Sequence, residues 1–96
     1  MYLLITYDVE TLTSSGRRRL RQVAKCCLNY GQRVQNSVFE CSINGADFVS
    51  FKSQLNTLID HEKDTIRIYH LGKNYNSKIE QLGKSTSFDF NGELII

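Results

Sequence analysis

The sequence predicts an α+β sandwich, with two helices packed on one face of an antiparallel sheet, and three observations carry that prediction. Apolar residues alternate with a period of two near the N terminus and again over residues 65–71. Two stretches between those runs show helical spacing instead. The chain has 96 residues, the size of one domain.

The first strand runs from Tyr2 to Val9, where Leu3, Ile5, Tyr7 and Val9 alternate with Tyr2, Leu4, Thr6 and Asp8. Both faces are apolar until the end, as a central strand covered on both sides requires. Asp8 is the first charge and sits at the C-terminal end. Ser14 and Ser15 are N-cap candidates for a first helix. In that helix Leu20, Val23, Ala24, Cys27 and Leu28 form one apolar stripe, and Gly31 is suited to the left-handed position that ends it. Arg17, Arg21 and Lys25 lie one turn apart on a stripe facing solvent.

Residues Arg33 to Ile43 are strand material, either one bent strand or a hairpin broken near Asn36–Ser37. A second amphipathic helix is predicted over Ala46–His61, with Phe48, Phe51, Leu55, Leu58 and Ile59 on one face. Thr65 to Leu71 is a strand closed by Gly72; residues 72–77 form a loop and Lys78 to Gly83 a short strand. This order is that of a ferredoxin-like βαββαβ sandwich over residues 1–84 with an extra C-terminal strand. The tail, residues 85–96, is too apolar at Phe88, Phe90, Leu94, Ile95 and Ile96 to stay in water, and is expected to pair with a partner subunit's sheet. A sheet with one uncovered face also argues for a homodimer.

Net charge is only +2, but its distribution is uneven. Residues 1–41 carry +3 and residues 42–96 carry −1, with no acid between Glu10 and Glu40. The first helix is therefore expected to project an uncompensated positive field. Cys26, Cys27 and Cys41 fit neither a zinc-knuckle spacing nor a disulfide framework. Without a charged leader or a 20-residue apolar run, a cytoplasmic protein away from the membrane, with reduced thiols, is expected.

Four segments make the sequence specific. They are Tyr7-Asp8-Val9, the run Gly16-Arg17-Arg18-Arg19-Leu20-Arg21-Gln22-Val23, the stretch from Tyr30 to Cys41 (YGQRVQNSVFEC), and the stretch from Asp64 to Gly72 (DTIRIYHLG). Together they resemble the CRISPR-associated Cas-two (Cas2) family of small spacer-acquisition proteins, over roughly residues 1–83. The stretch from Tyr30 is similar to members that accompany type I-C systems. The resemblance implies a ferredoxin-like homodimer with Mg2+ (or Mn2+) near the twofold, held by Asp8 from each chain. It implies a metal-dependent endonuclease acting on single-stranded RNA or double-stranded DNA in antiviral defence. It also implies a bridge between dimers of the CRISPR integrase (Cas-one) during spacer acquisition. The alternative is a non-catalytic architectural adaptor that holds a DNA duplex by its backbone.

Each candidate residue has a plainer alternative. Asp8 either caps a turn or holds the metal, for which one or two carboxylates plus waters suffice. Tyr7 alternates with the core residues Leu3 and Ile5, and the alternative is that its hydroxyl orients the metal's water. Phe39 and Ser37 lie where the family's site motif falls, although core and turn are the simpler roles, core above all for Phe39. Arg33 either pairs with Glu40, contacts phosphate, or lies near the metal as the family implies. Arg17, Arg18, Arg19, Arg21 and Lys25 are expected to contact nucleic-acid backbone, giving salt-dependent binding without sequence readout. His61 and His70 lack metal-ligand spacing.

Overall fold

The computed structural model describes residues 1–72 and 79–84. Along the chain lie β1 (Tyr2–Asp8), α1 (Ser14–Tyr30), β2 (Gly31–Gln35), β3 (Val38–Ser42), α2 (Gly45–Leu58), β4 (Thr65–Leu71) and β5 (Ile79–Gly83). The strands form one antiparallel sheet in the order β2-β3-β1-β4-β5. This is the ferredoxin-like α+β arrangement that the sequence predicts, with an extra strand at the β4 edge. The predicted tail, residues 85–96, lies outside the described residues, as do residues 73–78 of the predicted loop.

β1 is central because both its faces are apolar. Ile5 stands between Phe39 of β3 and Ile68 of β4, and all three are fully buried beneath the helices. Leu3, Val23, Cys27, Phe51, Leu55 and Ile66 are fully buried in the same core. The other face carries Tyr2, Leu4, Thr6 and Asp8 from β1, and none of these is fully buried.

The Arg33–Ile43 region is a hairpin, with a register irregularity between Arg33 and Gln35. Gly31 differs from expectation. It is extended (φ −161°, ψ −159°) and opens β2 instead of adopting a left-handed helix end. Glycine is needed there for space: a Cβ would sit 2.1 Å from the Glu40 carbonyl oxygen and 2.6 Å from Cys41 Sγ. The α1 cap is Thr13, one residue before the predicted serines, and its hydroxyl accepts the Gly16 N–H at 3.0 Å. Leu28 is 53% exposed, while Cys26 takes its predicted place in the buried stripe.

α2 is capped by Asn44, whose side chain accepts the Asp47 N–H at 2.8 Å, and Asp47 suits the positive end of the helix. The helix ends at Leu58, short of the predicted His61. Ile59 turns extended while keeping its side chain in the core. His61 packs its ring against the Asn56 carbonyl oxygen instead, at 2.8 Å. His70 is a satisfied half-buried residue, edge-on to Phe48 and bonded to Glu80, which also accepts from Lys52 at 2.8 Å. All three cysteines are buried free thiols, and burial pushes the Cys41 thiol up to about 11.

Candidate metal and nucleic-acid site

The strand alternation that buries Tyr7 turns Asp8 to the opposite face, where it is exposed at the end of β1. Among the described residues no hydrogen bond or ion pair engages the Asp8 carboxylate. It faces the start of β4, in register with Thr65.

The other candidates gather on the helix side of the sheet. Tyr7 stacks on Phe39 with ring centroids 5.9 Å apart, and the Arg33 guanidinium lies over the Phe39 ring at 5.2 Å. Phe39 is fully buried, which is the core role the sequence favours. Arg33 therefore stacks on an aromatic ring rather than pairing with Glu40, which the register places beside Leu4 and Gln32. The Tyr7 hydroxyl donates to the Asn36 carbonyl oxygen at 3.2 Å, and the Tyr7 N–H to the Ser37 carbonyl oxygen at 3.1 Å. Burial, with a smaller contribution from Cys27, pushes the Tyr7 hydroxyl up, so it stays a donor at neutral pH. Tyr7 thus ties the β2–β3 turn to the end of β1 that carries Asp8.

On α1, Arg17, Arg18, Arg21 and Lys25 are exposed. The 17-residue helix has no acid in its first turn, so its positive end reinforces the arginine charges. Arg17 also reaches back to the Thr11 carbonyl oxygen at 3.1 Å. Arg19 departs from the expectation that no acid meets this run. Its Nε donates to Asp64 Oδ2 at 2.7 Å and its Nη2 to Asp64 Oδ1 at 3.3 Å, while Glu10 Oε1 lies 3.7 Å away. Its charge is spent inside the fold and is not part of the outward field.

Asp64, a residue the sequence did not single out, is fully buried. It accepts backbone N–H groups from Glu10 at 3.0 Å and Asp60 at 2.8 Å besides the Arg19 fork. Burial alone would raise its pKa. The Arg19 hydrogen bond and the two backbone donors outweigh burial and hold it below the usual carboxylate range. Glu10 is likewise engaged: its carboxylate accepts from the backbone of Leu12 and Thr13 and from the Thr13 hydroxyl. A Cβ at residue 16 would meet the Glu10 carbonyl oxygen at 2.0 Å, so Gly16 lets this turn lie against the helix.

A metal would therefore meet few ligands from one chain. Among the described residues no three His, Cys, Asp or Glu side chains gather at a point that could hold an ion. Asp8 offers an exposed hard oxygen donor that no described residue engages, as Asp47 and Glu62 also do, but it stands at a strand end that leads into the arginine-bearing helix. Such a donor suits Mg2+ bound by one or two carboxylates and completed by water. A hollow of about 320 Å³ between Tyr2, Gly31, Gln32, Glu40, Cys41 and Ser42 lies at the other end of β1. It is roughly 20 Å from Asp8 along the strand at about 3.3 Å per residue. No described helix is long and apolar enough to cross a membrane.

Comparison with known proteins identifies the family and agrees with the fold. The family described as CRISPR associated protein Cas2 matches residues 1–79. A Halalkalibacterium halodurans protein named CRISPR-associated endonuclease Cas2 is 55% identical, with 99% of each chain covered. A Chlorobaculum tepidum protein named CRISPR-associated endoribonuclease Cas2 is 48% identical over the full length of both. Among solved structures, Streptococcus pyogenes Cas2 is 58% identical with a TM-score of 0.71, covering 86% of this chain and all of that one. A Thermus thermophilus hypothetical protein is 28% identical with a TM-score of 0.66, covering 75% of this chain and 82% of its own. On the Tyr7-Asp8 strand end, the arginine-rich helix and these matches, the chain belongs to the CRISPR-associated protein Cas2 family.

Proposed function

We propose that this chain is a phosphodiester-cleaving protein of CRISPR adaptation, acting in the cytoplasm as a homodimer. It grips nucleic-acid backbone with α1 and cuts at Asp8 with Mg2+ or Mn2+. The carrying observation is the exposed Asp8 carboxylate at the end of β1, unpartnered among the described residues, which leads into a helix whose Arg17, Arg18, Arg21 and Lys25 are exposed. The names of the relatives, endonuclease and endoribonuclease, support the reaction class. The half-buried Leu4, Val38, Tyr69 and Leu71 on the sheet face that no described helix covers support pairing with a second copy, which would bring a second Asp8 to the ion.

In this reading Asp8 holds the ion and the helix arginines hold the substrate. A bound Mg2+ supplies Lewis acidity toward a phosphoryl oxygen and acidifies a bound water. Arg17, Arg18, Arg21 and Lys25 neutralise phosphates without reading bases, so each adds to the salt dependence of binding. Tyr7 and Phe39 keep the strand end in place from the buried side, and Arg33, stacked on Phe39, extends the basic surface.

A second reading is an architectural adaptor that holds duplex DNA between integrase dimers without cutting. The sparse donor set around Asp8 favours it, because two-metal nucleases use several acidic ligands. One experiment separates the two. Wild type and Asp8→Ala are incubated with duplex DNA and with single-stranded RNA, in Mg2+ and in EDTA, while binding of the same ligands is followed. The nuclease reading expects cleavage that needs both Mg2+ and Asp8, with binding retained in the variant. Absence of cleavage by wild type, with binding intact, would leave the adaptor.

A further inference from the structure

The backbone on either side of Asp8 is tethered, while no described residue engages the Asp8 carboxylate itself. On the N-terminal side, Tyr7 is bonded through both its N–H and its hydroxyl to the β2–β3 turn. On the C-terminal side, the Glu10 N–H is taken by Asp64, the buried carboxylate that precedes Thr65, the register partner of Asp8. Asp64 in turn is gripped by the Arg19 fork and by the Asp60 N–H. Glu10 then closes the turn into α1 through Leu12 and Thr13, with Arg19 alongside at 3.7 Å. One buried carboxylate therefore joins the end of β1, the start of β4, the α2–β4 turn and α1.

A free carboxylate on a clamped backbone is how a protein presents a metal ligand in a fixed place, since outer partners set the position of the ligand they support. We infer that Asp64, held by Arg19, is the positioning residue for Asp8, and that Arg19 serves this clamp instead of nucleic acid. The inference rests on the metal-site reading of Asp8. It also divides the arginine run, with Arg17, Arg18 and Arg21 facing outward and Arg19 inward.

The test uses the full chain carrying Asp64→Asn, Arg19→Gln, both together, Arg19→Lys, or Arg21→Ala. Asp64→Asn keeps one of the two oxygens, whereas the Glu10 and Asp60 N–H groups use one each, so it loosens the clamp without emptying the site. Three readouts are followed. The first is the salt dependence of duplex binding, where Arg21→Ala should flatten the log–log slope by about 0.9. Arg19→Gln and Asp64→Asn should leave that slope unchanged. The second is Mg2+ affinity, by calorimetry without substrate and by half-saturation of cleavage. It should weaken about 10- to 100-fold in Asp64→Asn and Arg19→Gln, as loss of an outer partner does. KM for duplex should hold, and Arg19→Lys should restore part of the loss. The double variant should be little worse than either single one, because both act through one contact. The third is amide exchange at Glu10, which should quicken in Asp64→Asn.

A slope change in Arg19→Gln as large as in Arg21→Ala would overturn the assignment of Arg19. Unchanged Mg2+ affinity and Glu10 exchange in Asp64→Asn would overturn the clamp. A wild type that neither binds Mg2+ nor cleaves would refute the nuclease reading. The clamp would then stand or fall on exchange at Glu10 alone.

Discussion

Replacing Asp64 by alanine should destabilise this protein more than any other single change to a polar side chain described above. The side chain is fully buried and accepts from three groups at once: the N–H of Glu10, the N–H of Asp60 and the Arg19 guanidinium. Each donor left without a partner costs about 1–3 kcal/mol when water cannot reach it. The Glu10 and Asp60 bonds are partly accessible, so the low end applies to them. The whole loss is then about 3–4 kcal/mol. For a domain of this size that corresponds to a fall in Tm of roughly 12–30 °C. Asp64→Asn, which retains one of the two acceptor oxygens and leaves one backbone donor and part of the Arg19 fork unpaired, should cost about 2–3 kcal/mol.

The same pair should show a pH signature. The folded pKa of Asp64 is held below its unfolded value by the Arg19 hydrogen bond and the backbone donors, which together outweigh burial. A depressed carboxylate contributes stability above the unfolded pKa of about 3.9 and loses it as pH falls through the folded value. Thermal unfolding at a series of pH values should therefore find wild type well above Asp64→Asn at pH 7, with the gap closing below about pH 4. Glu80 is also held low, against burial, by hydrogen bonds from Lys52 and His70, but that network is present in both proteins and cancels in the comparison. A gap that persists undiminished at pH 3, or an alanine variant that melts within a few degrees of wild type, would refute the reasoning.

Other outcomes follow from single contacts. Gly31→Ala should lower Tm by several degrees or more, because its Cβ would meet the Glu40 carbonyl oxygen and Cys41 Sγ well inside contact distance, and over-packing costs about 1–3 kcal/mol. Circular-dichroism melting checks it. Alanine at Arg18 or Arg21 should each flatten the salt dependence of duplex binding by about 0.9 in log–log slope while leaving Tm unchanged, since both side chains are exposed. Fluorescence anisotropy across a salt series measures this. Burial pushes all three cysteine thiols up, Cys41 to about 11, so a thiol reagent at pH 8 should label the native protein slowly and the unfolded protein at three sites.

The sequence made the element order, the core stripe of α2 and the exposed end of β1 legible, because each rests on local periodicity. Asp8 follows a run of alternating apolar residues, and strand geometry alone turns it away from Tyr7. Asp64 was hidden because it ends a polar stretch, Asp60 to Asp64, that reads as an ordinary turn. Its partner Arg19 is 45 residues away in sequence. A signal did exist: Arg19 falls in register with Val23, Cys26 and Cys27, the buried side of α1, and a cation there needs an acid to meet it. The left-handed reading of Gly31 failed for a related reason. The requirement is the close approach of β3, and only the fold brings Glu40 and Cys41 to that glycine.

The central claim is a division of labour, with Asp8 for chemistry and the outward arginines of α1 for grip. It is tested most directly by single-turnover cleavage at saturating protein together with duplex affinity, for wild type, Asp8→Ala and the double variant Arg18→Ala/Arg21→Ala, all in Mg2+. Asp8→Ala should bind within about twofold of wild type yet not cleave, since the Asp8 carboxylate contacts no described basic group. The double variant should bind more weakly, with a flatter salt slope, and still cleave once saturated. Cleavage that survives in Asp8→Ala, or that vanishes in the arginine variant even at saturation, would contradict the claim.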